Sequence, residues 1–116
     1  RKTQSIMIIE FEEECLRELY EEGKTKHKKY KNLPKDIVQR FVKTIQKLKI
    51  ADRIEDLFLY NSLNYEKLKG DKKGIESVRV NNKYRIEFIS SIEETDETPP
   101  TIITICSIIE LNNHYS

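Results

Sequence analysis

Cysteine and histidine each occur only twice in this chain of 116 residues. Cys15 and Cys106 lie far apart, with no CxxC pair and no histidine at ligand spacing, so neither a disulfide framework nor a zinc site is indicated. A reducing compartment follows. No apolar run approaches the roughly 20 residues that cross a bilayer, and no signal-peptide pattern opens the chain, so the expected location is the cytoplasm. Met7 is a candidate natural start, which would make residues 1–6 an extension. Glycine stands only at positions 23, 70 and 74, and neither a P-loop nor GxGxxG is present; HExxH and the nucleophile elbow are missing too. After Arg85 there is no lysine or arginine at all.

What is present suffices for one small core. Hydrophobic residues make up 37% and charged residues 35%, which is polar for a globular protein but too rich in Ile, Leu, Val, Phe and Tyr for a disordered one. A single domain over residues 1–116 is expected. The net charge of +1 conceals segregation. Residues 10–22 hold seven acids against Arg17 alone, and residues 24–31 hold Lys24, Lys26, Lys28, Lys29 and Lys31 with no acid. Basic surface concentrated mid-chain steers an anionic partner without an extreme isoelectric point.

Helices come first and sheet last. A β-rich stretch predicts a strand over Ser5–Phe11. It leads into a helix in which Phe11, Cys15, Leu16, Leu19 and Tyr20 share a face, with acids in the first turn and Gly23 as the stop. Pro34 suits the first turn of a second helix, whose stripe is Ile37, Val38, Phe41, Val42, Ile45 and Leu48. A helical turn around residues 53–58 precedes an irregular stretch. Residues 75–80 and 83–90 read as two strands of a hairpin. The acidic, prolyl stretch 91–100 reads as an exposed loop, and the β-branched run 101–111 as a central strand buried on both faces.

The hairpin register follows from alternation. A two-residue loop at Asn81 and Asn82 would mix apolar and charged residues on both faces. An odd loop or a bulge instead puts Val78, Val80, Tyr84, Ile86 and Phe88 on one face, with Ser77, Arg79, Arg85 and Glu87 on the other. Like charges directly opposite are unfavourable. Two readings of Arg79 and Arg85 stay open: a bound anion, or neutralisation by Glu76, Glu87 or the acidic helix.

Such a sheet suits RNA cleavage without a metal. Attack by a 2′-hydroxyl on its own phosphate needs a proton acceptor, a cation for the pentavalent transition state and a proton donor. Arginine fits the second role through its permanent charge and planar fork. Histidine titrates near neutrality and takes or gives a proton. His114 and Tyr115 are candidates for the acid-base and stacking roles, with a roleless terminus as the plain alternative. His27, among lysines, reads as an exposed loop histidine. Tyr30, Tyr60 and Tyr65 read either as base-stacking residues or as core and rim. The acids of the first helix read as a solvated face, and no metal site is assigned.

The order strand, two helices and sheet, with "EKLKGDKKG", "SVRVNNKYRIEF" and a final strand ending "ELNNHYS", resembles the HigB-type host-inhibition toxins of the RelE/ParE superfamily. The resemblance runs from Met7 onward. It implies an α+β fold, two N-terminal antiparallel helices packed on a small, mostly antiparallel twisted sheet. It also implies a cytoplasmic bacterial toxin, restrained by a HigA-like helix-turn-helix antitoxin, that cleaves mRNA in the ribosomal decoding site. By position, Lys69 matches the family's basic residue in LKGD, and Arg85 the arginine of its aromatic-Arg strand; both are implied to hold the scissile phosphate. The family's Asp-Tyr-His ending falls on Asn112, Asn113 and His114, so only the histidine matches, with Tyr115 one position beyond. The general base stays open among Glu66, Lys69 and His114. Lys67, Lys72, Lys73, Arg79 and Lys83, with Lys28 and Lys29 of the basic loop, are candidate nucleic-acid contacts. No cofactor is called for. Two other readings remain: a ParE-like toxin that inhibits gyrase by binding, and a catalytically impaired member that binds RNA or antitoxin only.

Overall fold

In the computed structural model, which describes residues 3–113, the first strand is β1 (Ser5–Phe11). Ser5 and Ile6, inside the stretch read as an extension, pair with Ile102 and Ile103, so they belong to the sheet. Helix α1 covers Glu14–Glu22. Phe11 ends β1 rather than opening the helix, yet its ring still stacks on Tyr20 at 5.6 Å. Gly23 closes α1 in the left-handed conformation (φ 76°), where a side chain would be strained. Helix α2 covers Lys35–Ile50, with Pro34 as its N-cap instead of in its first turn. A proline has no N–H to leave unpaired there.

Three short 3-10 turns follow, at Ile54–Leu59, Asn61–Leu63 and Gly70–Lys72. Between them lies a two-residue strand, β2 (Glu66–Lys67), where only irregular chain was expected. The remaining strands are β3 (Glu76–Arg79), β4 (Tyr84–Glu94) and β5 (Ile102–Asn113). The sheet order is β1-β5-β4-β3-β2, with β1 parallel to β5 and every other pair antiparallel. The fold is α+β, as the resemblance implied.

Arg79 opposes Arg85 and Val78 opposes Ile86, which leaves a three-residue turn at residues 81–83. The odd loop therefore holds. Asn81 accepts hydrogen bonds from the backbone N–H groups of Lys83 and Tyr84 (2.9 and 2.8 Å), fixing the turn. Residues 91–94 are a correction: expected in the loop, they are exposed but continue β4, pairing with Ile105, Thr104, Ile103 and Ile102. Only residues 95–101 connect β4 to β5.

Both helices pack on one face of the sheet. Leu16 and Leu19 from α1 and Phe41, Ile45 and Leu48 from α2 meet Val78, Ile86, Phe88, Cys106 and Ile108, all buried. β5 is central, but buried on that face only. On its other face Ile103, Ile105 and Ser107 are half-exposed, beside exposed Ile6, Ile8 and Ile89. The register between β4 and β5 shifts between Glu87 and Phe88, so that Ile108 and Leu111 both reach the core across a bulge.

Candidate functional site

The face of the sheet away from the helices carries the polar residues of the hairpin. Arg85 is only 7% exposed. Its Nε donates to Ser77 Oγ (2.9 Å) and its Nη2 to the carbonyl of Asn64 (2.8 Å). Asn64 can turn that carbonyl inward because it adopts φ 43°, a conformation asparagine tolerates better than most residues. Glu66 of β2 lies 3.7 Å from the same Nη2 and is about half-exposed. The guanidinium is thus clamped on the protein side and bordered by one carboxylate on the solvent side.

Two positions along β4, Glu87 is also buried. It faces Glu110 across the ladder, and each acid has its own lysine. Lys72 Nζ sits 2.7 Å from Glu87, and Lys29 Nζ 3.3 Å from Glu110. Asn112 Nδ2 donates to Glu87 as well (3.2 Å), and Asn112 opposes Arg85 in the register. The open face thus gathers Arg85, Glu66, Ser77, Glu87, Lys72 and Asn112 from four strands and a turn.

This arrangement corrects the second reading of the hairpin charges, neutralisation by Glu76, Glu87 or the acidic helix. Arg79 and Arg85 are cross-strand partners, but Arg79 is exposed and hydrogen-bonds Asn82, while Arg85 is buried. Glu66 borders Arg85, and Glu87 serves Lys72. Glu76 is on the opposite face, accepting from the Tyr65 hydroxyl (2.6 Å) and from Ser90 N (3.0 Å) and Oγ (2.6 Å). The acidic helix spends its charge locally, Glu14 and Glu21 flanking Arg17.

The other sequence candidates separate. Lys69 precedes the 3-10 turn at Gly70–Lys72, is exposed, and lines a cleft on the helix side with Lys67 and Lys73; the cation beside Glu87 is Lys72. Lys83 is exposed at the hairpin turn, where it lines a shallow concavity with Arg79 and Arg40, an arginine the sequence did not single out. Lys28 and Lys29 are exposed in the basic loop, and Lys29 is engaged with Glu110 and the Tyr30 ring. His27 is exposed, its Nδ1 accepting from Lys29 N (3.2 Å). Tyr30 is a core residue whose hydroxyl accepts from Leu111 N. His114 and Tyr115 lie outside the described residues. The Asn64 carbonyl was missed, since a main-chain acceptor leaves no residue-type signal.

A helical pair covers one face of a five-stranded mixed sheet, whose other face holds a clamped arginine amid carboxylates and a lysine, and together they make a small α+β protein. The structure matches that of a YoeB/ParE toxin from Agrobacterium tumefaciens with a TM-score of 0.53, over 94% of this chain and 100% of that one; at 16% identity, this shows a shared fold. The model of the family described as the RelE-like toxin HigB of type II toxin-antitoxin systems matches residues 9–97. Toxin HigB-1 of Vibrio cholerae serotype O1 (strain ATCC 39315 / El Tor Inaba N16961) is 30% identical over 82 residues, covering 71% of this chain and 82% of that protein. The chain belongs to the HigB-like family of toxins of type II toxin-antitoxin systems. Membership implies a cognate antitoxin as partner. No helix among the described residues is long and apolar enough to cross a membrane.

Proposed function

We propose that this toxin is a ribosome-dependent endoribonuclease that cuts mRNA without a metal ion and so arrests translation and growth. Arg85 carries the reading. A guanidinium held by Ser77 and the Asn64 carbonyl at an open face is a cation set in place before substrate arrives. Such preorganised charge stabilises a developing phosphorane more than a mobile lysine does, because no reorganisation is needed during the reaction. Glu66, bordering Arg85, takes the proton from the attacking 2′-oxygen. Lys72, oriented by Glu87, adds a second cation on the same face. Asn112 opposes Arg85, which sets the end of β5 beside it; His114, two positions on, is assigned the proton to the leaving 5′-oxygen, with Tyr115 stacking on a base. Lys69, Lys67 and Lys73 are proposed to contact RNA from the helix side of β2, and Arg79, Lys83, Lys28 and Lys29 from the hairpin tip and basic loop. The cytoplasm is its place of action, and a HigA-like helix-turn-helix protein its restraint.

The deciding experiment maps mRNA 5′ ends after the purified chain is added to mRNA-programmed ribosomes, with Arg85→Ala and ribosome-free RNA alongside. Codon-phased cuts that require ribosomes and fall roughly 10²- to 10³-fold in the variant are expected for loss of a preorganised charge. Intact mRNA at high protein concentration would overturn the nuclease reading, and a gyrase supercoiling assay would then test the ParE-like alternative.

A further inference from the structure

Across β2 from Arg85 lies a cleft of about 720 Å³ whose lysines were assigned to RNA above but whose aromatic and apolar walls have been given no role. Phe58, Tyr65, Leu68 and Ile92 form apolar walls, and the exposed Lys67, Lys69 and Lys73 also line it. Phe58 is 61% exposed, and its ring meets Tyr65 edge-on, with centroids 4.9 Å apart and planes at 76°. Tyr65 cannot easily move. Its hydroxyl is tied to buried Glu76, which is tied in turn to Ser90, and its ring packs near Phe88 of the core.

The charge around the cleft is lopsided. None of the three lysines has an ion-pair partner among the described residues, and the two acids in the lining are Glu55 at the surface and Glu76, whose oxygens already serve Tyr65 and Ser90. An exposed aromatic face beside clustered, unneutralised cations fits a ligand that is flat and apolar in one part and anionic in the next. The geometry of β2 says which polymer supplies it. Glu66 borders Arg85 and the next residue, Lys67, lines the cleft, so one two-residue edge strand separates the two places. A strand of nucleic acid crossing that edge spans both, with a phosphate on either side.

We infer that this cleft is a base-stacking subsite for single-stranded RNA, in which an unpaired base lies against Phe58 and its flanking phosphates meet Lys67, Lys69 and Lys73. The subsite rests on the reading of the chain as an RNA-cleaving toxin, and extends it to a base outside the scissile position. It works by stacking and charge rather than by hydrogen-bond readout, so it tolerates any base and adds affinity more than codon preference.

The test uses the full chain and a short single-stranded RNA, 2′-O-methylated throughout so that it cannot be cut, carrying one 5-iodouridine. Irradiation followed by peptide mass spectrometry is expected to place the crosslink on Phe58 or Tyr65. Affinity is read by fluorescence anisotropy for the intact oligonucleotide and for one with an abasic site at the crosslinked position. Phe58→Ala, a change at an exposed ring that leaves the thermal melt in place, weakens binding of the intact RNA roughly ten- to hundredfold and removes its advantage over the abasic one. Crosslinks elsewhere, with Phe58→Ala binding unaltered while Arg85→Ala still weakens it, would refute the subsite and leave the RNA reading standing. No RNA binding by the unaltered chain, together with uncut mRNA on ribosomes, would remove both.

Discussion

Cys106 sits fully buried in the middle of β5, and burial, aided by the Glu76 carboxylate, pushes its thiol from 9.0 up to about 12. Below the lower value the thiol is protonated in both folded and unfolded chains. As pH rises from about 9 toward 12 the unfolded chain releases the proton and the folded one keeps it, so folding stability falls. Tyr65 is raised from 10.0 as well, by desolvation first and by its bond to Glu76 second, and adds to the fall above its ordinary value. Urea midpoints at about pH 8 and about pH 10 are expected to show this loss, and Cys106→Ala, although less stable at the lower pH, to show a smaller one. Tyr65→Phe removes a donor to a buried carboxylate and is expected to cost about 1 to 3 kcal/mol in the same assay. Arg85 was legible because an arginine between apolar alternates on a strand must face away from the core. Glu66 was legible by its nearness to the LKGD turn. That Lys72 and not Lys69 reaches Glu87 was not legible, because it depends on the 3-10 turn that begins after Lys69.

The elements were read most reliably where a single period ran unbroken. Both helices fall where apolar spacing put them, except that Phe11 belongs to β1; β1 falls where its β-rich composition put it, and the three-residue hairpin turn follows from requiring one apolar face. Asn81→Ala deletes the acceptor for two turn N–H groups and is expected to lower stability by about 1 kcal/mol, measured by thermal melting, without changing the register of β3 and β4. β2 was missed because two exposed residues carry no period; they are a strand only because β3 pairs with them. The far end of β4 was missed for a related reason. Its Glu93 and Glu94 have poor intrinsic preference for a strand, and pairing with the β-branched start of β5 overrides that preference. The bulge at the Glu87/Phe88 step leaves no mark in the sequence beyond two core residues three apart, Ile108 and Leu111.

Over the whole molecule, the charge segregation seen in the sequence persists as surface. Lys24, Lys26, Lys28 and Lys31 are exposed in the loop joining the helices, whereas Lys29 is occupied by Glu110. Replacing Lys24, Lys28 and Lys31 by serine is expected to weaken binding to ribosomes more at low salt than at high, because every phosphate the loop no longer neutralises makes the slope of log affinity against log salt shallower by roughly 0.7 to 0.9. Co-sedimentation across a salt series reads that slope directly. Equal weakening at all salt concentrations would assign the loop a shape role and not an electrostatic one.

The parallel pairing of β1 with β5 also bears on the birth of the molecule. β5 is the seam between β1 and the β4-β3-β2 half, and it follows the other four described strands in chain order. Until residues 102–113 have been made, the single strand β1 and the three-stranded β4-β3-β2 piece have nothing to join them, and the asparagine that stands opposite Arg85 has not arrived. Closing that seam requires pairing between the first and last strands, the kind of distant meeting that slows folding. The sheet is therefore completed only by its last-made strand, and refolding of the chain is expected to be slower than that of a helical protein of the same length.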